Sequence, residues 1–228
     1  MYQLISRDQI TSSKKIIGTE IIKFQKSFYD VEVLQLYQEE NKESEYWEIF
    51  DCVKKDPIVY KSFDSIININ HTNIETFSQK LTEKLILIFD AINAHEFIVI
   101  SHLKLDFFGN RKNEFQPLKN VYTKLETIVG DKSYKEAFIL NRDSLADFVE
   151  ILFWLVRYDP NIPEYIFFFD ADEQVEFFIC KYGNMHFRAL QKEQITAEQW
   201  KNWGCTIIDV EHDNFTEDGN ITEREILM

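Results

Sequence analysis

The stretch "FFFDADEQVEFFIC", residues 167–180, sets Asp170, Asp172 and Glu173 between two apolar runs. Carboxylates at this spacing can serve a divalent cation, because hard cations take several oxygen ligands. They also suit a tight turn, where an Asp side chain bonds the backbone ahead of it. The apolar runs on either side read as strands covered on both faces, and so as central strands of a sheet. The turn is therefore the expected reading, with the acids left to serve a partner.

Other chemistry-bearing groups are weaker. "NFTEDGNITERE" (214–225) places Gly219, Ile221 and Glu225 as a calcium-binding EF-hand loop would. It opens on Asn214, follows a strand pattern and has no exiting helix, so a tail is the expectation. The histidines 71, 95, 102, 186 and 212 make no HxH, HExxH or Cys/His cluster at zinc spacing. His186 is expected across a hairpin from Lys181. Cys180 lies in a Phe/Ile run and reads as a small buried thiol rather than a nucleophile. No GxSxG, P-loop or GxGxxG occurs. No catalytic residue, cofactor or metal is assigned.

The elements that must position these groups are legible in part. Residues 1–60 read as a mainly helical acidic segment, although Ile16, Ile17, Ile21 and Ile22 also fit a short strand broken by Gly18. Glu39, Glu40, Glu43, Glu45, Glu48 and Asp51 face only Lys42 there. "INHTNIETFSQKL" (69–81) aligns with "LNRDSLADFVEIL" (140–152), so 64–103 and 135–170 read as similar β-α-β units, a weak internal repeat. Thr72 or Asn73 caps the first helix and Asp143 or Ser144 the second. Residues 164–212 read as a β-rich core: strands at 164–170, 174–181 and 185–190, then 205–212. Gly183-Asn184 is the expected two-residue hairpin loop. A helix opens at Thr196 with a capping box to Gln199, and its Trp200 and Trp203 form either a core stripe or an exposed edge. Residues 213–228 read as an acidic tail. Pro117 opens a helix in the region 104–133. The expected fold is a single α+β domain, a mostly antiparallel sheet packed by amphipathic helices.

Composition sharpens the functional classes. Twenty Phe against six Gly and four Pro argue for a real core and against disorder. No apolar run reaches the ~20 residues that span a bilayer, and the N-terminal stretch does not read as a secretory signal. Three separated cysteines read as reduced thiols in a cytoplasm. Thirty-nine acids against 25 bases give a net charge of -14. Such a surface repels nucleic acid and anionic membrane, and it draws a basic protein partner.

In size and charge the chain is similar to bacterial immunity proteins, which neutralise nuclease toxins by covering basic active sites. The likeness involves no motif. It implies a non-catalytic, cytoplasmic inhibitor of a basic toxin domain. The contact would be made by Asp170, Asp172, Glu173, Glu211 and Asp213, or by the helix acids between Glu39 and Asp51. A scaffold or homo-oligomeric module is one alternative. An enzyme with a carboxylate or metal site hidden from spacing is the other.

Overall fold

The computed structural model describes residues 2–216. Among them, eight strands form one antiparallel sheet with helices on both faces, an α+β architecture in a single domain. In chain order the elements are β1 (Tyr2–Ile5), α1 (Arg7–Ser13), α2 (Lys15–Phe28), α3 (Val31–Glu39), α4 (Glu43–Ile49), β2 (Ser62–Asn68), α5 (Ile74–Ile92) and β3 (Glu96–Ser101). Then come α6 (Gln116–Val129), β4 (Ala137–Asn141), α7 (Leu145–Tyr158), β5 (Ile166–Asp170), β6 (Val175–Ile179), β7 (Asn184–Leu190), α8 (Ala197–Asn202) and β8 (Thr206–Ile208). The sheet order is β1-β4-β3-β5-β6-β7-β2-β8.

Side chains alternate across this sheet and divide the core into two layers. Phe97, Val99, Phe168, Phe177, Met185 and Phe187 meet α5, α6 and α7 on one face. Ile98, Ile100, Phe167 and Phe169 meet Ile17, Ile21 and Ile22 of α2 on the other. Phe97 packs at 4.0 Å from Phe89 and 5.2 Å from Phe177 between ring centroids. Losing such a buried ring costs about 3–5 kcal/mol. Double coverage explains why β5 is apolar from Ile166 to Phe169, as its sequence predicts, before it ends on the buried Asp170.

Several expectations are corrected. Ile16–Ile22 is helical, in line with the main reading of this segment, and the alternative of a short strand is set aside. Gly18 lets α2 cross α1, since a Cβ there would lie 2.6 Å from the Thr11 carbonyl oxygen. The N-terminus contributes an edge strand, β1, to a segment expected to be mainly helical. Ser144 stands at the N-cap position of α7, as expected, but its side chain does not cap that helix; it closes a capping box with Asn141 around the 3-10 turn Arg142–Ser144. The units β2-α5-β3 and β4-α7-β5 are both crossovers between like-directed strands. One skips three strands and the other skips one.

The hairpin between β6 and β7 also differs. Cys180 pairs with Asn184, so the loop is Lys181–Gly183, three residues long. Gly183 takes φ +80° there, the left-handed turn residue such loops need. His186 consequently lies opposite Phe178 rather than Lys181. The strand expected over 205–212 spans only Thr206–Ile208. Beyond it, Asp213 to Thr216 are not free tail. Asp213 is buried on Arg157, and Phe215 packs against Phe77 and Phe153. The rest of the EF-hand-like stretch and of the expected tail, 217–228, lies outside the described residues.

Candidate functional site

The acidic turn between β5 and β6 is used inside the protein. Asp170 is buried, and its carboxylate accepts the amide N–H groups of Asp172, Gln174 and Val175 at 3.1, 2.6 and 2.7 Å. Burial raises its carboxyl above the usual range, and the three N–H donors oppose that rise. Glu173 turns the other way, toward α2. It accepts from Ile16 and Ile17 N–H at 2.8 and 3.0 Å, supplying the cap that Lys14 does not. Lys14 Nζ in turn donates to the Ala171 carbonyl at 2.6 Å. Asp170 and Glu173 are thus turned to different backbone donors rather than to a common point.

This placement revises the expected contact residues. Asp170 and Asp213 are buried and committed to internal bonds, since Asp213 meets Arg157 at 2.6 Å and accepts from Phe215 N–H at 2.9 Å. Glu173 is half-buried on a helix end. Asp172 is exposed. Glu211 stands apart from all of them, in a cluster of different chemistry.

That cluster lies where α1 and α2 stop covering the sheet. The face of β6, β7, β2 and β8 beyond them is an open groove of about 450 Å³. One cross-strand row on its floor is Glu176, Arg188 and Asp64. The next is Phe178, His186, Ile66 and Ile208. Arg188 donates to Glu176 at 2.8 Å, and also to Asp64 and to Glu20 of α2. Tyr60 donates its hydroxyl to the same Glu20. Glu176 Oε2 is buried with no hydrogen-bond partner among the described residues. Burial and the neighbouring Glu20 charge, partly offset by Arg188, push the Glu176 carboxyl up to about 8.

Past His186 the groove leads to Cys180 and Glu211. His186 Nε2 lies 2.6 Å from Glu211 Oε1, and Cys180 Sγ lies 3.2 Å from the same oxygen. One ligand atom from each of the three residues falls within 4.8 Å of the others. The His186 ring is stacked on Phe178 at 4.3 Å and 5°. The His186 hydrogen bond lowers the Glu211 carboxyl. Burial and the Glu211 charge raise the Cys180 thiol well above its ordinary value. The thiol is turned to a carboxylate rather than to the imidazole, which is not the arrangement of an activated Cys–His nucleophile. Beside the cluster is a cavity of about 260 Å³, lined in part by Glu164, Tyr165, Lys181 and Tyr182.

The exposed acid is concentrated elsewhere, on α3 and α4. Glu32, Glu39, Glu40, Glu43, Glu45 and Glu48 are all exposed. Glu40 pairs with Lys42 at 2.8 Å and Glu48 with Lys135 at 3.1 Å, while Glu43 accepts from Trp47. Apolar residues are exposed among them: Val31 at 54%, Val33 at 39% and Leu36 at 59%, with Phe28 and Tyr29 just before. Asp51, at the end of this run, is not part of that surface. It meets the buried Arg7 at 3.1 Å and accepts from Gln25 at 2.7 Å. Burial works against its charge, yet these partners hold its carboxyl below the ordinary value.

Comparison of the chain with protein-family models, with curated proteins and with solved structures finds no match. Among the described residues, no helix is long and apolar enough to cross a membrane.

Spacing alone did not reveal the Cys180–His186–Glu211 cluster. Its members come from a hairpin whose register depends on one loop residue and from a segment beyond β8. The available signal was the alternation Phe178, Cys180 and His186 on paired strands. Read with a three-residue loop, it puts the latter two near one another.

Proposed function

We propose that the protein is a non-catalytic binding protein that covers a basic protein partner, in the manner of an immunity protein occluding a toxin such as a nuclease. The α3–α4 surface supports this reading. It sets large exposed apolar side chains, Val31 and Leu36, among exposed acids including Glu32, Glu39 and Glu45. Apolar contact with an acidic surround is the composition of a docking surface that steers a basic partner and then desolvates against it. The mechanism is steric and electrostatic, with no bond made or broken.

The test is capture from the native host with two variants beside the wild type. One carries Glu32→Lys, Glu39→Lys and Glu45→Lys; the other carries Asp172→Lys. The expected result is one basic protein, held stoichiometrically by the wild type and by the Asp172 variant. The triple variant loses it, and salt releases it. No basic partner, or equal capture by the triple variant, would overturn the proposal.

A second reading, an enzyme of acid–base type, has one observation in its favour. The groove combines a carboxyl of raised pKa, Glu176, with Arg188 and Asp64. A screen for hydrolytic activity in wild type and Glu176→Gln tests it, and activity unaltered by the substitution removes Glu176 as its acid. An exposed Trp200 and Trp203 edge would favour the scaffold alternative, but Trp200 is buried against Phe187 and Trp203 is partly buried.

A further inference from the structure

We propose that Cys180, His186 and Glu211 form a binding site for one divalent ion of the zinc class, with a fourth position left to water. The proposal goes beyond the docking reading and does not depend on it.

The donor set selects the metal. A thiolate sulfur and an imidazole nitrogen suit zinc and its neighbours, whereas calcium and magnesium take oxygen. Three protein ligands of this kind, with one open position, is the pattern of an accessible zinc site. Two anionic ligands and a neutral imidazole balance the charge of a divalent ion. On binding, the Cys180 thiol proton passes to solvent, His186 offers its Nε2 lone pair and Glu211 a carboxylate oxygen. No electron is transferred.

The three donor atoms already lie within 4.8 Å of one another. Metal–ligand bonds of about 2.0–2.3 Å in a tetrahedron put neighbouring donors roughly 3.3–3.8 Å apart. Cys180 Sγ and Glu211 Oε1 already stand at 3.2 Å. The His186–Glu211 contact of 2.6 Å is a hydrogen bond that the ion replaces, and it must open by less than about 1 Å. The cavity lined by Tyr165 and Tyr182 leaves room for the water.

The supports are already fixed. Phe178 stacks on the His186 ring, and the Cys180 N–H is bonded to Asn184. The segment carrying Glu211 is pinned just downstream. Asn184 Nδ2 donates to the His212 carbonyl at 2.9 Å, Asn214 Nδ2 to the Gly183 carbonyl at 3.0 Å, and Arg157 to Asp213 at 2.6 Å. An ion here would staple the segment after β8 to the β6–β7 hairpin. Ligands oriented in advance bind with less ordering cost.

The experiment uses the whole protein, stripped with chelator and titrated with Co²⁺ and then Zn²⁺. Cobalt bound by a thiolate shows a sulfur-to-metal charge-transfer band. The expected result is one equivalent bound, with that band present. Cys180→Ser abolishes the band and Cys205→Ser keeps it, while Zn²⁺ displaces the cobalt and raises Tm. Glu211→Gln and His186→Gln, which keep side-chain size, are expected to weaken Zn²⁺ binding by about tenfold or more. They stand in if Cys180→Ser does not fold. No thiolate band in the wild type, a band surviving in Cys180→Ser, or unaltered affinity in both Gln variants would overturn the site.

Discussion

Glu173, in the turn after β5, caps a helix that begins 158 residues earlier in the chain: its Oε1 accepts the Ile16 amide at 2.8 Å. The same oxygen takes the Ile17 amide at 3.0 Å. The acidic turn is thus the clamp that holds α2 to the sheet. Glu173→Ala should destabilise the protein by about 1 kcal/mol, the usual worth of a helix cap. Asp172→Ala, at the adjacent but exposed residue, should change stability by less than about 0.5 kcal/mol. Urea denaturation of both variants checks this, and equal effects would contradict the clamp.

Asp170 does more within the same turn. Its removal strands three N–H donors, that of Val175 buried and those of Asp172 and Gln174 partly buried. Asp170→Ala is therefore expected to cost about 2–3 kcal/mol, near the upper end for unsatisfied buried groups. A cost no larger than that of Asp172→Ala would mean that water replaces the carboxylate.

Glu176 predicts a pH dependence of definite sign. Its folded pKa is raised from 4.5 to about 8, so between these values the folded state holds a proton that the unfolded state has released. Stability from this group is full below about 4.5 and is lost as pH rises toward 8. Glu176→Gln, whose amide oxygen can still accept from Arg188, should remove that loss. The gap between variant and wild type is expected to move in the variant's favour from pH 5 to pH 8, as read by denaturation across pH. A gap independent of pH would place the Glu176 proton elsewhere.

His102 carries the opposite slope. Buried against Phe28 and Tyr165, its ring has a pKa lowered from 6.5 to about 4, chiefly by burial. The folded state binds fewer protons there than the unfolded state. Its contribution is full above 6.5 and is lost as pH falls to about 4. Resolved NMR titration of the histidine rings should show His102 still neutral at pH 5, and a His102 midpoint near 6.5 would contradict its burial.

The parts that the sequence made legible are those fixed by local pattern. The apolar run Ile166–Phe169 announced a central strand, Thr196 and Gln199 a capping box, and Pro117 the start of α6. What it hid depends on pairings between distant segments. A strand as short as Tyr2–Ile5 carries too few residues to show a period. The β6–β7 register turned on whether Lys181 to Gly183 or only two residues formed the loop, and that decided which side chain faced His186. Charge was the most misleading signal. Acids are usually exposed, yet Asp170 and Asp213 are buried because Asp170 finds backbone N–H donors and Asp213 finds Arg157. The acids that do face solvent on α3 and α4 were visible as a run, but not their company of exposed Val31 and Leu36.

The most direct test of the docking account is the association rate of the purified protein with the basic partner it captures, measured by stopped flow at low and at physiological salt. Exposed acids act over roughly 8 Å at physiological ionic strength, so steering must fade as salt rises. The account predicts a rate that falls about tenfold or more over that range in the wild type. Glu32→Lys, Glu39→Lys and Glu45→Lys together should start slow and vary little with salt. A wild-type rate indifferent to salt, or a triple variant that associates as fast, would contradict it.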